Sequence, residues 1–170
     1  MTERPEPTEY DPYYARYIDL VPEGEIVMTL QSQFDKTLAL LNTVPESKAG
    51  YAYDTGKWSI AEVMGHVIDA ERIFTYRALR IGRNDKTPLP GFEQDDYIAN
   101  TDFKKRTIGS LKEEWTVVRQ ASLQLFSHFT DEEWMRRGIA SGKPISTRAL
   151  AYIVSGHELH HVNVLKTRYF

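Results

Sequence analysis

Four stretches of about twenty residues carry apolar side chains at helical spacing, and no other feature limits the possible folds as much. Over residues 22–44, Val27, Leu30, Phe34, Leu38, Leu41 and Val44 form one stripe. Pro22 suits a first helical turn, and Glu23 and Glu25 suit the positive end of the helix dipole. Over 60–81, Ile60, Val63, Met64, Val67, Phe74 and Ala78 share a face, Ser59 and Glu62 make a capping box, and Gly82 ends the run. Over 110–128, capped by Ser110 with Glu113, the stripe is Leu111, Trp115, Val118, Ser122, Leu125 and Phe129. Over 147–168, Leu150, Ile153, Val154, His157, His161, Val164 and Leu165 face one way.

Four amphipathic helices of this length bury their stripes most simply against one another, so the expected fold is all-α, a four-helix bundle. The connection from 82 to 106 is far longer than a turn between antiparallel neighbours needs. It can run back along the bundle, which makes helices two and three parallel. The order is then up-down-down-up, with a long crossover between helices 2 and 3 and with helices two and four antiparallel. "TDEEW" reads as a capped helical turn, and "GIASGKPIS" as a small hairpin or loop. Residues 1–21, rich in Pro, Glu and Tyr, read as an N-terminal arm, leaving 22–170 as one domain. The arm's clustered tyrosines suit packing against the domain, a dimer contact or a lid.

Several function classes drop out. A net charge of −3 offers no electrostatic footprint for nucleic acid. No apolar run approaches a membrane span, and "MTERPEPTEYDPYY" has no secretory h-region, so the expected location is cytoplasmic. The absence of cysteine removes disulfides, thiolate nucleophiles and Cys-ligated zinc. Any metal must rest on His and carboxylates, and any thiol must come from outside.

Of the five histidines, His157 and His161 lie four apart and project from one face on consecutive turns. That face is the apolar stripe, so both imidazoles point into the core, where they need hydrogen-bond partners or a ligand. His66 lies beside the stripe of helix two, seven residues from its start, and His161 is about seven from the end of helix four. In antiparallel helices these positions share one height. Two readings stand: satisfied core histidines, or three neutral ligands forming an open zinc-type site. His160 falls to one side of His157, and His128 suits the cation-favouring end of helix three. Glu62 and Asp69, one turn either side of His66, are candidates to orient an imidazole. Glu71, Arg72 and Arg77 read either as ion pairs within the bundle or as a clamp for a substrate carboxylate or phosphate.

"HELHH" also fits the H-E-x-x-H of zinc peptidases. The remaining "VNVLKTRYF" supplies no third ligand, the longer form's Gly and His are replaced by Val164 and Thr167, and no sheet is expected to align a peptide. The motif is better read as a His-x-x-x-His ligand helix with Glu158 uninvolved.

"KWSIAEVMGHVIDAERIF", the "NDKTPLPGFEQDDY" crossover and "GHELHHVNVLKTRY" together resemble the DinB-like (DinB/YfiT-like) superfamily of metalloenzymes, over about 25–170. The resemblance implies an up-down-down-up bundle, often a homodimer. It also implies a divalent metal, zinc or nickel, on His66, His157 and His161. His160 departs from the aromatic or small residue of many relatives. The family includes thiol-dependent S-transferases and isomerases that use low-molecular-weight thiols. The functions to weigh are therefore a metal-dependent transferase acting on a small-molecule substrate, a metal-dependent hydrolase, and a non-catalytic metal-binding, stress-associated bundle.

Overall fold

A computed structural model describes residues 3–170. Seven helices and one hairpin follow along the chain: α1 (Ala15–Ile18), α2 (Ile26–Asn42), α3 (Ile60–Gly82), α4 (Gln94–Ala99), α5 (Ile108–Ser127), α6 (Asp131–Met135), β1 (Arg137–Ala140), β2 (Lys143–Ser146) and α7 (Thr147–Arg168). The long ones, α2, α3, α5 and α7, are the four expected from the sequence.

Their directions follow from which residues meet. Leu30 meets Arg119 while Asn42 meets Lys112, so α2 and α5 are antiparallel. Gln33 meets Ser155 and Thr37 meets Glu158, so α2 and α7 are parallel. Phe103 lies on Gly65, Arg119 on Glu71 and Phe129 on Gly82, so α3 and α5 are parallel. Trp58 meets Tyr169, His66 meets His161 and Phe74 meets His157, so α3 and α7 are antiparallel. The bundle is up-down-down-up, and the long crossover makes it possible.

Local chemistry sets the ends. The Ser59–Glu62 and Thr130–Glu133 capping boxes form. The first helix starts later than 22, because Gly24 has φ 138° and breaks the path. The Glu25 side chain then accepts the Met28 N–H at 2.8 Å and begins the helix. The third starts earlier than 110. Thr107 caps it through the Ser110 N–H, and Glu46 accepts the N–H groups of Ile108 and Gly109 at 2.7 and 2.8 Å. Ser110 instead receives the Arg106 guanidinium.

The hairpin pairs Arg137 with Ser146 and Ala140 with Lys143 around Ser141-Gly142, whose φ angles of 53° and 74° match a type I′ turn. Leu89 of the crossover bonds to both sides of this tip, to Ile139 O and from Ser141 N–H. The arm is docked on the bundle. Glu9, fully buried, accepts from Ser146 Oγ at 2.7 Å and Arg148 Nε at 2.8 Å. Ile18 and Val21 join the core.

That core has two apolar clusters, and each long helix contributes to both. Where each helix passes from one cluster to the other it buries a polar side chain: Gln33 and Thr37 on α2, His66 and Glu71 on α3, Arg119 on α5, and Ser155, His157 and Glu158 on α7. This layer holds the histidines. No described helix is long and apolar enough to cross a membrane.

Candidate metal centre

His66 comes from the second turn of α3, and His157 and His161 from consecutive turns of α7. Because the two helices are antiparallel and closely packed, the three rings meet at one level. His66 Nε2 and His157 Nε2 are 3.0 Å apart, and one ligand nitrogen from each of the three lies within 4.8 Å of the others. The ring centres are 4.5 to 4.8 Å apart. This is the only such group of His, Asp and Glu among the described residues.

Burial pushes His66 down to about 4 and His161 down to about 3, and neighbouring imidazoles add to both effects. His157 is driven well below the ordinary range for the same reasons. All three are therefore neutral near pH 7, as metal ligands must be. A tetrahedral site with metal–nitrogen bonds of ~2.0–2.1 Å separates its nitrogens by ~3.3 Å, a few tenths more than the His66–His157 spacing. The set fits a divalent cation.

His160 lies outside the convergence. Its ring meets the edges of Tyr17 and His161, and burial lowers its pKa. Glu62 is spent on its cap, taking Ser59 N–H at 2.7 Å and Ser59 Oγ at 2.8 Å, with Lys104 at 3.5 Å. Asp69 pairs with Arg72. Neither carboxylate bonds to a histidine among the described residues. His128 is exposed at the end of α5, against the Gln124 carbonyl.

The histidine rings are held instead by aromatic edges. Tyr17 and Phe74 flank His157, at 5.3 and 5.8 Å between ring centres, and Trp58 lies 5.0 Å from His66. Sequence reasoning missed these wall residues. Phe74 was visible only as a core position, and Tyr17 only as one of four arm tyrosines. Two cavities border the cluster. One of about 290 Å³ touches His66 and His157; the other, about 300 Å³, touches His160 and His161. Asp95 of α4, at the rim, lines both.

Glu158 points elsewhere. It accepts from Thr37 Oγ1 at 2.6 Å and has Arg119 Nη2 at 2.8 Å, a charge contact without good hydrogen-bond angles. Arg119, fully buried, also donates to both oxygens of Glu71 at 2.8 Å and to Leu30 O at 3.2 Å.

Comparison with known proteins gives the same outline. Residues 29–165 match the DinB superfamily. No curated protein matches the chain in sequence. Among solved structures it is similar to YfiT from Bacillus subtilis, described as "a probable metal-dependent hydrolase with an unusual four-helix bundle topology". That likeness has TM-score 0.64 and 14% identity, over 98% of this chain and 93% of that one. It is also similar to the mycothiol-dependent maleylpyruvate isomerase, with TM-score 0.69 and 13% identity over 85% of this chain. The chain spans 61% of that protein's length. At such identities the likeness speaks for the fold.

Proposed function

The chain belongs to the DinB superfamily, and from that premise we propose that it is a divalent-metal-dependent enzyme acting on a small molecule, with His66, His157 and His161 as ligands. The observation that carries this is the convergence of three neutral imidazoles, two buried and the third half-buried, between two cavities. A protein that needed only stability would bury apolar side chains there, since three clustered imidazoles give up more bonds to water than the single His66–His157 contact returns. Zinc or nickel suits imidazole donors.

Held by the neutral His66, His157 and His161, a divalent cation would keep its full charge and would supply the acidification of water or of a thiol that such ions provide. The chain's own residues then set the surroundings. Phe74, Trp58 and Tyr17 wall the rings from bulk water, and burial raises the Tyr17 hydroxyl so that it stays protonated, a donor at the cavity wall. The chain has no cysteine, so the thiol of a transfer reaction is a substrate. The proposed chemistry is transfer of a low-molecular-weight thiol to an electrophile. Metal-dependent hydrolysis is the second reading, favoured by the nearly full-length likeness to YfiT. A homodimer is the assembly that the family resemblance implies, and the cytoplasm is the location expected from the sequence.

The test uses one preparation, metal-loaded and chelator-stripped. It is offered small thiols with a panel of electrophiles, and separately esters and amides. Metal-dependent turnover in the first panel supports transfer, and turnover in the second alone supports hydrolysis. Elemental analysis gives one metal per chain, lost in His66→Ala and His161→Ala and kept in His128→Ala. If neither panel turns over and a protein side chain fills the fourth position, the bundle is a non-catalytic metal binder.

A further inference from the structure

Three arginines of this chain are buried: Arg77 at 1% exposure, Arg119 at 0% and Arg148 at 6%. Two have buried carboxylates, Arg119 with Glu71 and Glu158, and Arg148 with Glu9. Arg77 has none among the described residues. Its Nη2 donates to the Pro90 carbonyl at 2.7 Å and to Ser141 Oγ at 3.1 Å, both neutral acceptors. The guanidinium carbon lies 5.9 Å from the Phe74 ring and 5.8 Å from the Phe92 ring. A buried cation without a counter-charge is expensive, and the usual remedy is a carboxylate. Here the chain supplies one to each of its other two buried guanidinium groups and withholds it from this one.

The location gives the reason. Phe74, Phe92, Ser141 and Tyr14 all line the 290 Å³ cavity that reaches His66 and His157. The Tyr14 hydroxyl lies against the guanidinium: burial raises it, and Arg77 pulls it back down. Ser141 adopts φ 53° at the hairpin tip, a conformation a non-glycine residue adopts at some cost, and the hydroxyl it carries is the one Arg77 meets. His66 and Arg77 are eleven residues apart on α3, ~16 Å of rise and within ~20° around the axis, so both stand on one face. The acidic groups on this cavity, Glu93 and Asp95, are exposed at its mouth, where water screens them.

We propose that the Ser141 and Tyr14 hydroxyls, with the buried Arg77 guanidinium behind them, form an anion subsite on the cavity wall that takes the carboxylate end of a small substrate whose reacting end lies at the three histidines. Both hydroxyls lie against the guanidinium, so a carboxylate that accepts from them is held next to its charge. The assignment of the anion to a substrate rests on the metal-dependent reading; the subsite itself does not.

The two are separated by measuring binding without turnover. Propionate, propionamide and inorganic phosphate are titrated into metal-stripped and zinc-loaded protein by ligand-observed NMR, with metal content measured in parallel. Propionate is expected to bind both forms, with propionamide and phosphate at least tenfold weaker. Arg77→Gln is expected to weaken propionate at least tenfold and Ser141→Ala two- to fivefold, with metal content unchanged. Propionate binding only to the zinc-loaded form, or equal binding of propionamide, overturns the subsite. Stronger binding of phosphate overturns the carboxylate assignment. Should Arg77→Gln fail to fold, Ser141→Ala decides, since that residue is on an exposed turn: undiminished propionate binding there overturns the proposal. Loss of metal binding with propionate binding intact would fault the metal reading alone.

Discussion

Replacing Gly156 by alanine tests how the N-terminal arm is held against the histidines. Gly156 lies in α7 immediately before His157, and α1 crosses it so closely that a Cβ there would stand 2.0 Å from the Tyr17 carbonyl oxygen and 2.4 Å from its carbon. Ordinary contact begins at 3.4 Å, so the arm backbone must withdraw by 3.4 − 2.0 = 1.4 Å. The obstacle is main chain, which cannot rotate away as a side-chain tip can. Overpacking of this kind costs ~1–3 kcal/mol. Full release of the arm exposes Ile18 and Val21, buried at 0% and 3%, at ~1.5–3 kcal/mol each. Alanine returns ~1 kcal/mol through its helix propensity. The balance is a net loss of up to ~2 kcal/mol if the arm only shifts and ~2–5 kcal/mol if it detaches, so about 2 kcal/mol marks the boundary between the two. For a chain of this size 2 kcal/mol corresponds to roughly 4–8 °C in Tm. Denaturant unfolding measures the loss, and limited proteolysis within residues 3–21 shows whether the arm is freed. A Gly156→Ala protein as stable as the parent, or more stable by the propensity term, would refute this account of the docking.

Two further outcomes follow from buried charge. Arg119→Met leaves Glu71 and Glu158 buried and unpaired and is expected to cost ~3–5 kcal/mol in urea unfolding at pH 7, with most of it recovered when both carboxylates are also replaced by leucine. Burial works to raise the Glu9 carboxyl, but bonds from Arg148, Ser146 and the Glu6 N–H hold it down at about 2, against 4.5 when free. Its contribution is therefore fully present above pH 4.5 and is lost as pH falls toward 2; Glu9→Gln should flatten that limb of the stability–pH curve, and an unchanged limb would show that the pair is not formed.

The bundle was legible because its long helices keep an apolar period over five or six turns and because Ser59–Glu62 marks the start of one of them chemically. The meeting of His66, His157 and His161 was legible from level alone, once the length of the crossover made helices two and four antiparallel. The polar layer was less so. Gln33, Thr37 and Arg119 lie off the apolar stripes and carry no motif, and their partners Ser155, Glu158 and Glu71 come from other helices, which spacing along one helix does not reveal. The docking of the arm left no periodic signal, since it is built from three-residue and four-residue turns. What fixes it is the close approach at Gly156, the buried Glu9–Arg148 pair and the burial of Ile18 and Val21 in the core. Glu62 and Asp69 were candidates because helical spacing puts them near His66. Spacing does not reveal that Ser59 and Arg72 already occupy their oxygens.

The five letters HELHH show why orientation, and not pattern, decides such a motif. Successive residues of a helix point ~100° apart, so Glu158 cannot share the direction of His157. In this bundle each direction has its own neighbour. His157 and His161 face α3 and meet His66. Glu158 faces α2 and α5 and meets Thr37 and Arg119. It is 1% exposed, and its carboxylate is turned from the histidines toward Thr37 and Arg119. Burial raises its carboxyl, while Arg119 and the Thr37 hydroxyl pull it back. Its work is to help balance a guanidinium that has no contact with solvent. One stretch of α7 thus presents different groups on two faces: imidazoles toward α3, and a counter-charge that ties α7 to α2 and α5 at the same level. The counter-charge fixes the rotation of α7 about its own axis, and that rotation is what aims His157 and His161 at His66.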